Sequence, residues 1–234
     1  AGGIEALVDA LSHHPHDAAV SLSVTGALWG LSVHDGLVSR IVHAGGAESL
    51  VACCAGRSEL EPLQMAAAAT LRNLAHDDET RCFIAESGGL PLLVAAARAH
   101  GPATGLQTQV AGALWNLSRT PELARAVAAG GGVHVLVEMA RAHLHDAELQ
   151  AQAANALRQL VSSSDGTMAE LAVGCGAAAV LLTAARAHAG AADVILAVCG
   201  TLWYLADHGH TRELLAAGAV AELVVAARRH RAYV

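Results

Sequence analysis

The sequence predicts an all-α fold, a solenoid of stacked three-helix units, on three observations. A five-residue motif recurs five times: Ala-Leu-Trp-Gly-Leu (27–31), Thr-Leu-Arg-Asn-Leu (70–74), Ala-Leu-Trp-Asn-Leu (113–117), Ala-Leu-Arg-Gln-Leu (156–160) and Thr-Leu-Trp-Tyr-Leu (201–205). Its first leucines, at 28, 71, 114, 157 and 202, lie 43, 43, 43 and 45 residues apart. A glycine marker keeps the same beat: Gly3, Gly46, Gly89, Gly132, Gly176 and Gly218 each open an apolar run. Finally, 54% of the chain is hydrophobic and much of that is alanine, with only five prolines, which favours close-packed helices over a bulky core. A helical unit of this length buries its apolar face only against its neighbours, so the core grows by stacking.

Taken in order, residues 1–34 form a partial unit that lacks a short first helix. Complete units follow at 35–77, 78–119, 120–164 and 165–208, and residues 209–234 stop before the long third helix. Neither end carries a polar cap of the kind solenoids need, so the chain reads as a fragment of a longer protein. Within a unit, glycine suits the sharp link into the second helix because it accepts positive φ. That helix runs about three turns, as at Leu90 to His100, and four of them end in Arg and His: Arg98/His100, Arg141/His143, Arg186/His188 and Arg228/His230. Positive or titratable groups there complement the helix dipole and the free carbonyls. The longer third helix carries the Leu-x-x-Leu motif. Ser58-x-x-Glu61 reads as a capping box, Thr120-Pro121-Glu122 puts proline in a first turn, and Asp77/Asp78 and Ser164/Asp165 are candidate caps.

A three-helix unit with a glycine hinge and a closing Ala-Leu-x-Asn-Leu resembles the armadillo repeat. The likeness is most specific from Gly89-Leu-Pro-Leu-Leu-Val to Ala113-Leu-Trp-Asn-Leu-Ser and covers essentially the whole chain. It implies a right-handed α-solenoid whose third helices line a concave groove. It also implies that the motif asparagine, here Asn73 and Asn116, pins the main chain of an extended partner. An asparagine amide can both donate to and accept from a peptide backbone. Gln159 can act similarly, whereas Gly30 and Tyr204 break the ladder. Nuclear-import adaptors of this family carry tryptophan four residues before the ladder asparagine. This chain has Gly26, Ala69, Gly112, Asn155 and Gly200 there, so the likeness is to catenin-like cytoplasmic scaffolds.

Helical geometry orients the motif. With the ladder residue at 0°, the two leucines fall near 160° and 100°, and the slot just before the ladder falls near −100°. That slot holds Trp29, Arg72, Trp115, Arg158 and Trp203, turned away from the leucine core. The candidate groove residues are therefore Trp29, Arg72, Asn73, Trp115, Asn116, Arg119, Arg158, Gln159, Trp203 and Tyr204. His76 lies beside them and Asp207 towards the C-terminal end. Arginine forks pair with carboxylate or phosphate, and indole faces accept apolar or cationic groups. The expected partner is an extended segment in which acidic and apolar residues alternate. A second reading of the same slot is internal, with each tryptophan against a neighbouring repeat and each arginine stacked on an adjacent indole.

Composition excludes several chemistries. All fourteen basic residues are arginine, which removes Schiff-base and phosphate-loop lysine chemistry. A net charge of −7 gives no overall basic field for nucleic acid. The uncharged stretch Val194 to Ala206 is too short to span a bilayer. Five cysteines, with no Cys-x-x-Cys pair, point to a reducing compartment. The histidine clusters His13/His14/His16, His143/His145 and His208/His210 have no companion ligands at zinc spacing, and they read as solvated. No catalytic constellation emerges. The expected protein is a non-enzymatic scaffold, monomeric or a fragment, with no cofactor, metal, nucleic acid, membrane or small-molecule substrate. Its expected location is cytoplasmic, with the nucleus open. Two further readings stand beside it: a structural part of a ciliary or cytoskeletal assembly that uses its convex surface and ends, and a nuclear-import-type adaptor.

Overall fold

The computed structural model describes residues 2–14, 16–163 and 166–229; the candidate caps Ser164 and Asp165, and His230, lie outside them. The described residues form sixteen α-helices and no strand, and the chain divides into two compact units, 1–117 and 118–234. In the first unit, α1 (Gly3–His13) and α2 (Ala18–Ser32) make a partial repeat. Two complete repeats follow: α3 (Asp35–His43), α4 (Gly46–Cys54) and α5 (Glu61–Leu74), then α6 (Asp78–Glu86), α7 (Gly89–Ala99) and α8 (Thr104–Leu117). In the second unit, α9 (Pro121–Ala129), α10 (Gly132–Ala142) and α11 (Ala147–Ser162) precede α12 (Thr167–Gly174), α13 (Ala177–Ala187) and α14 (Ala192–Asp207). Then come α15 (Thr211–Ala216) and α16 (Ala219–Arg229).

The hinge between first and second helices uses glycine differently from the sequence expectation. The marker glycines Gly46, Gly89 and Gly132 are the first residues of their helices. The left-handed φ falls on the residues before them, Gly45 (83°), Gly88 (86°) and Gly131 (89°). Gly46, Gly89 and Gly132 serve close approach instead: a Cβ on Gly89 would lie 2.6 Å from Ile84 Cγ2 and 2.8 Å from its carbonyl oxygen. Where only one glycine is present, at Gly176 and Gly218, it takes the left-handed φ itself. The resulting bends repeat closely: 69° between α6 and α7, 70° between α9 and α10, and 69° between α12 and α13.

Within the first unit α2 packs on α5 and α5 on α8, with α1 on α4 and α4 on α7. In the second, α11 packs on α14, α10 on α13 and α13 on α16. The motif leucines Leu28, Leu71, Leu114, Leu157 and Leu202 are all buried. Full burial of each contributes about 1.5–3 kcal/mol. Four successive buried alanines, Ala66 to Ala69, let α5 approach its neighbours closely.

Caps follow the sequence in part. Asp77 accepts from the Thr80 amide at 2.8 Å in a reciprocal capping box, and Thr120 accepts from Leu123 N at 3.3 Å ahead of Pro121. Ser58 caps nothing: α5 begins only at Glu61, with Leu60 at the N-cap, no side-chain cap bond and Pro62 in the first turn. A stronger device joins second to third helices. Buried Gln64, Gln107 and Gln150 sit 43 residues apart in first turns and donate to two carbonyls at the end of the preceding helix. Gln107 Nε2 reaches Ala97 O at 2.8 Å and His100 O at 2.9 Å, and Gln150 reaches Ala140 O at 2.7 Å and His143 O at 3.0 Å. The terminal histidines also work between repeats. His100 Nε2 donates to Ser58 O and His188 Nε2 to Leu144 O at 2.6 Å, since a carbonyl can only accept.

Candidate functional site

The third helices present their last turns as successive rungs. In the first unit these carry Trp29 on α2, Arg72 and Asn73 on α5, and Trp115 and Asn116 on α8. All five are at least partly exposed, while Leu28, Leu71, Leu74, Leu114 and Leu117 are buried and Leu31 is half-buried, so the slot turns away from the core as the helical wheel places it. In the second unit Arg158 and Gln159 close α11, and Trp203 and Tyr204 close α14. Arg119 is exposed at the start of that unit.

The two arginines of the slot lie down on the next third helix. A Cβ placed on Gly112 would stand 2.5 Å from Arg72 Nε, 2.7 Å from its Cζ and 2.9 Å from its Cδ. A Cβ on Gly200 would stand 2.7 Å from Arg158 Cδ. The glycine four residues before each ladder position is thus a seat for the arginine of the preceding repeat. Arg72 Nη1 also donates to Gln109 Oε1 at 3.2 Å, and Arg158 Nη2 to Asn155 Oδ1 at 3.0 Å. The arginines are therefore internal struts whose guanidinium edges remain partly in solvent. Their partners include a glycine backbone and amide oxygens.

The asparagines tie rungs together. Asn116 Nδ2 donates to the Arg72 carbonyl at 2.9 Å, and Asn73 Nδ2 donates to Ser32 Oγ at 3.0 Å, which in turn donates to the Trp29 carbonyl at 2.8 Å. Each asparagine thus reaches the slot carbonyl of the repeat before it, directly where the intervening residue is Ala75 and through a hydroxyl where it is Ser32. One amide N–H and the side-chain carbonyl of each are not used by these bonds. Gln159 is turned back on its own helix end, donating to Ser163 Oγ at 3.2 Å. Trp203 is 61% exposed and stands 4.5 Å from the Tyr204 ring. Sequence reasoning missed Ser32, Gln109 and the glycine seats; the signal available was that arginine in the slot is followed about one period later by glycine, as in 72/112 and 158/200.

Residues 78–119, which are α6, α7 and α8, match the family model described as Armadillo/beta-catenin-like repeat. The fold is an armadillo-type α-solenoid. Two crystal structures of engineered proteins from the Northeast Structural Genomics Consortium are similar to this chain. One shares 26% identity with a TM-score of 0.79, covering 94% of this chain and 87% of the other. The second shares 28% identity with a TM-score of 0.82, covering 95% of this chain, which spans 53% of its length. No curated protein matches.

Among the described residues no group of three His, Cys, Asp or Glu side chains is placed to hold a metal. Cys53 and Cys54 are buried, and the Cys54 thiol is pushed up by its contact with Cys53 and by burial. Burial likewise raises Cys199, and burial together with the Glu138 charge raises Cys175. The hydrogen bond with Cys54 lowers the buried Cys53 thiol instead; raised thiols are poor nucleophiles. No single described helix is long and apolar enough to cross a membrane.

Proposed function

We propose that this chain is a non-enzymatic protein-interaction scaffold that holds an extended partner segment along its third helices. The observation that carries the reading is the row on α2, α5 and α8: indole, guanidinium with amide, indole with amide, on the last turns of three helices packed side by side. Packed helices lie about 8–10 Å apart and an extended chain advances about 3.3 Å per residue, so one rung meets every second or third partner residue. Trp29 and Trp115 offer faces for apolar side chains, and Arg72 between them offers a fork for a carboxylate. The favoured ligand is thus an apolar–acidic–apolar segment whose backbone meets the unused amide groups of Asn73 and Asn116. In the second unit Arg158, Trp203 and Tyr204 give the same chemistry.

Several features favour a catenin-like scaffold in the cytoplasm over an import adaptor. Gly26, Ala69, Gly112 and Gly200 stand where that adaptor class carries tryptophan, and Arg72 and Arg158 cover two of those positions. The test is a peptide-display screen followed by titration of a selected peptide against Trp29→Ala and Arg72→Glu. Each should weaken binding at least about tenfold, the loss expected of an interface anchor, with helicity unchanged by circular dichroism. Unchanged affinity in both variants would sink the proposal.

A further inference from the structure

We infer that a cleft between α10 and α12, apart from the third helices, is a separate binding site that takes an arginine side chain of a partner polypeptide. The cleft has a volume of about 610 Å³, within the range of ligand sites, and is lined only by α10, α12 and Cys175 at the end of α12. Glu138 and Arg141 stand one and two turns after His134 on one face of α10, and Glu170 faces them from α12. Val137, which is buried, and Leu171, which is half-buried, supply the apolar part of the lining.

Charge complementarity names the occupant. Glu138 and Glu170 come from opposite walls and are both exposed, and among the described residues neither forms an ion pair or a hydrogen bond. Arg141 does not neutralise them. Its Nη2 donates to the Cys175 carbonyl at 3.4 Å and lies against the hinge, 3.4 Å from where a Cβ on Gly176 would stand. A guanidinium has N–H donors enough for both carboxylates, its stem can cover Val137 and Leu171, and its plane can stack on the His134 ring. A lysine ammonium, compact and strongly hydrated, matches this lining less well. Beyond Arg141, which lines both, lies a smaller cavity of about 220 Å³ against Ala140, Leu144 and Val180, suited to an apolar side chain of the same segment.

The repeats themselves supply an independent argument. Counted from the left-handed hinge glycines, Glu138 corresponds to Ala52, Ala95 and Thr183, and Glu170 to Ser39, Cys82, Arg125 and Arg212. The α4/α6 junction thus has Ala52 with Cys82, and α13/α15 has Thr183 with Arg212. Stacking of repeats therefore proceeds without the two carboxylates, which coincide at α10 and α12 alone.

The probes are N-acetyl-argininamide and its neutral isostere N-acetyl-citrullinamide, titrated into the 234-residue protein and followed by amide NMR shifts. The arginine compound should move the amides of α10 and α12 saturably, and the citrulline compound should bind at least about tenfold more weakly. Glu138→Gln and Glu170→Gln should each weaken arginine binding severalfold, and together at least about tenfold, with helicity unchanged. Among peptides in which an arginine and a leucine stand a few alanines apart, one spacing should bind severalfold more tightly than the same peptide without leucine. Arg72→Glu, which disables the groove of the third helices, should leave all of this unchanged, so the two readings fail separately. Equal binding of arginine and citrulline, affinity insensitive to both glutamine variants, or no gain from leucine at any spacing overturns the proposal. So does self-association in sedimentation that Glu170→Gln abolishes, because an arginine of a second copy would then be the occupant.

Discussion

Alanine at Gly112 tests whether the slot arginine is seated on the next helix. Gly112 and Gly26 occupy the same position in α8 and α2, both in helix interiors, and glycine there is less favourable than alanine by about 1 kcal/mol. Around Gly26 an added Cβ meets nothing within 4 Å, so Gly26→Ala should stabilise by that full amount. At Gly112 the same methyl group would sit 2.5–2.9 Å from three atoms of Arg72. The arginine must therefore leave, losing its packing and its bond to Gln109, a cost of about 1 kcal/mol. The two effects cancel, and Gly112→Ala alone should change stability by less than about 0.5 kcal/mol. In an Arg72→Ala background the arginine is already gone, and Gly112→Ala should recover the full gain of about 1 kcal/mol.

The assay is urea denaturation followed by far-UV circular dichroism, on wild type, both single variants, the double variant and Gly26→Ala, with midpoints compared at equal m. The cycle should return a coupling of about 1 kcal/mol between positions 72 and 112. Coupling below about 0.3 kcal/mol, or Gly112→Ala as stabilising as Gly26→Ala in the wild-type background, would refute the seat.

Other substitutions separate the remaining devices. Gln107→Ala removes bonds to one buried and one part-buried carbonyl and should cost about 2 kcal/mol, with faster hydrogen exchange at the start of α8. Asp77→Ala should cost about 1 kcal/mol at pH 7 through loss of the cap. The Thr80 amide holds the Asp77 carboxyl below the usual carboxylate range, so the charge contribution is present above the unfolded pKa and lost as pH falls through the folded one. The gap between wild type and Asp77→Ala should therefore narrow below about pH 4. Leu114→Ala should cost about 2–5 kcal/mol, because Leu114 is fully buried. Trp203→Ala should cost less than about 0.5 kcal/mol, because the indole is mostly in solvent.

What the sequence could show depended on whether a feature repeats within one helix or between helices. The period, the leucine core and the outward turn of the Trp/Arg slot all follow from spacing along a single helix, and the structure has them as read. The hinge was placed one residue late, because Gly45-Gly46 and its counterparts hold two glycines with different jobs, left-handed backbone and close approach, which composition cannot tell apart. Ser58 was misread because a capping box is defined only relative to a helix start, and Leu60 and Pro62 set that start later. The seats of Arg72 and Arg158 and the Asn73–Ser32 relay join residues that only the stacking brings together, while the glutamine ties join second to third helices across a loop inside one repeat. The glutamines at 64, 107 and 150 nonetheless carry the same 43-residue beat as the leucines.

That internal use of polar groups decides which variants can speak about binding. Asn116 holds the Arg72 carbonyl and Asn73 holds the Ser32 hydroxyl, so removing either amide loosens one rung from the next as well as removing a group a partner would use. Loss of binding in Asn116→Ala would therefore be ambiguous, and its unfolding midpoint should fall, by about 1 kcal/mol for one hydrogen bond. Trp29 has no such double duty in its side chain, because the Ser32 hydroxyl reads only its backbone carbonyl. At 36% exposure its ring is open to a ligand. Trp29→Ala should thus lower peptide affinity with a smaller change in midpoint than Asn116→Ala. The reverse order, a larger stability loss at Trp29 with affinity unchanged, would make the indole a packing element and leave the groove without its first anchor.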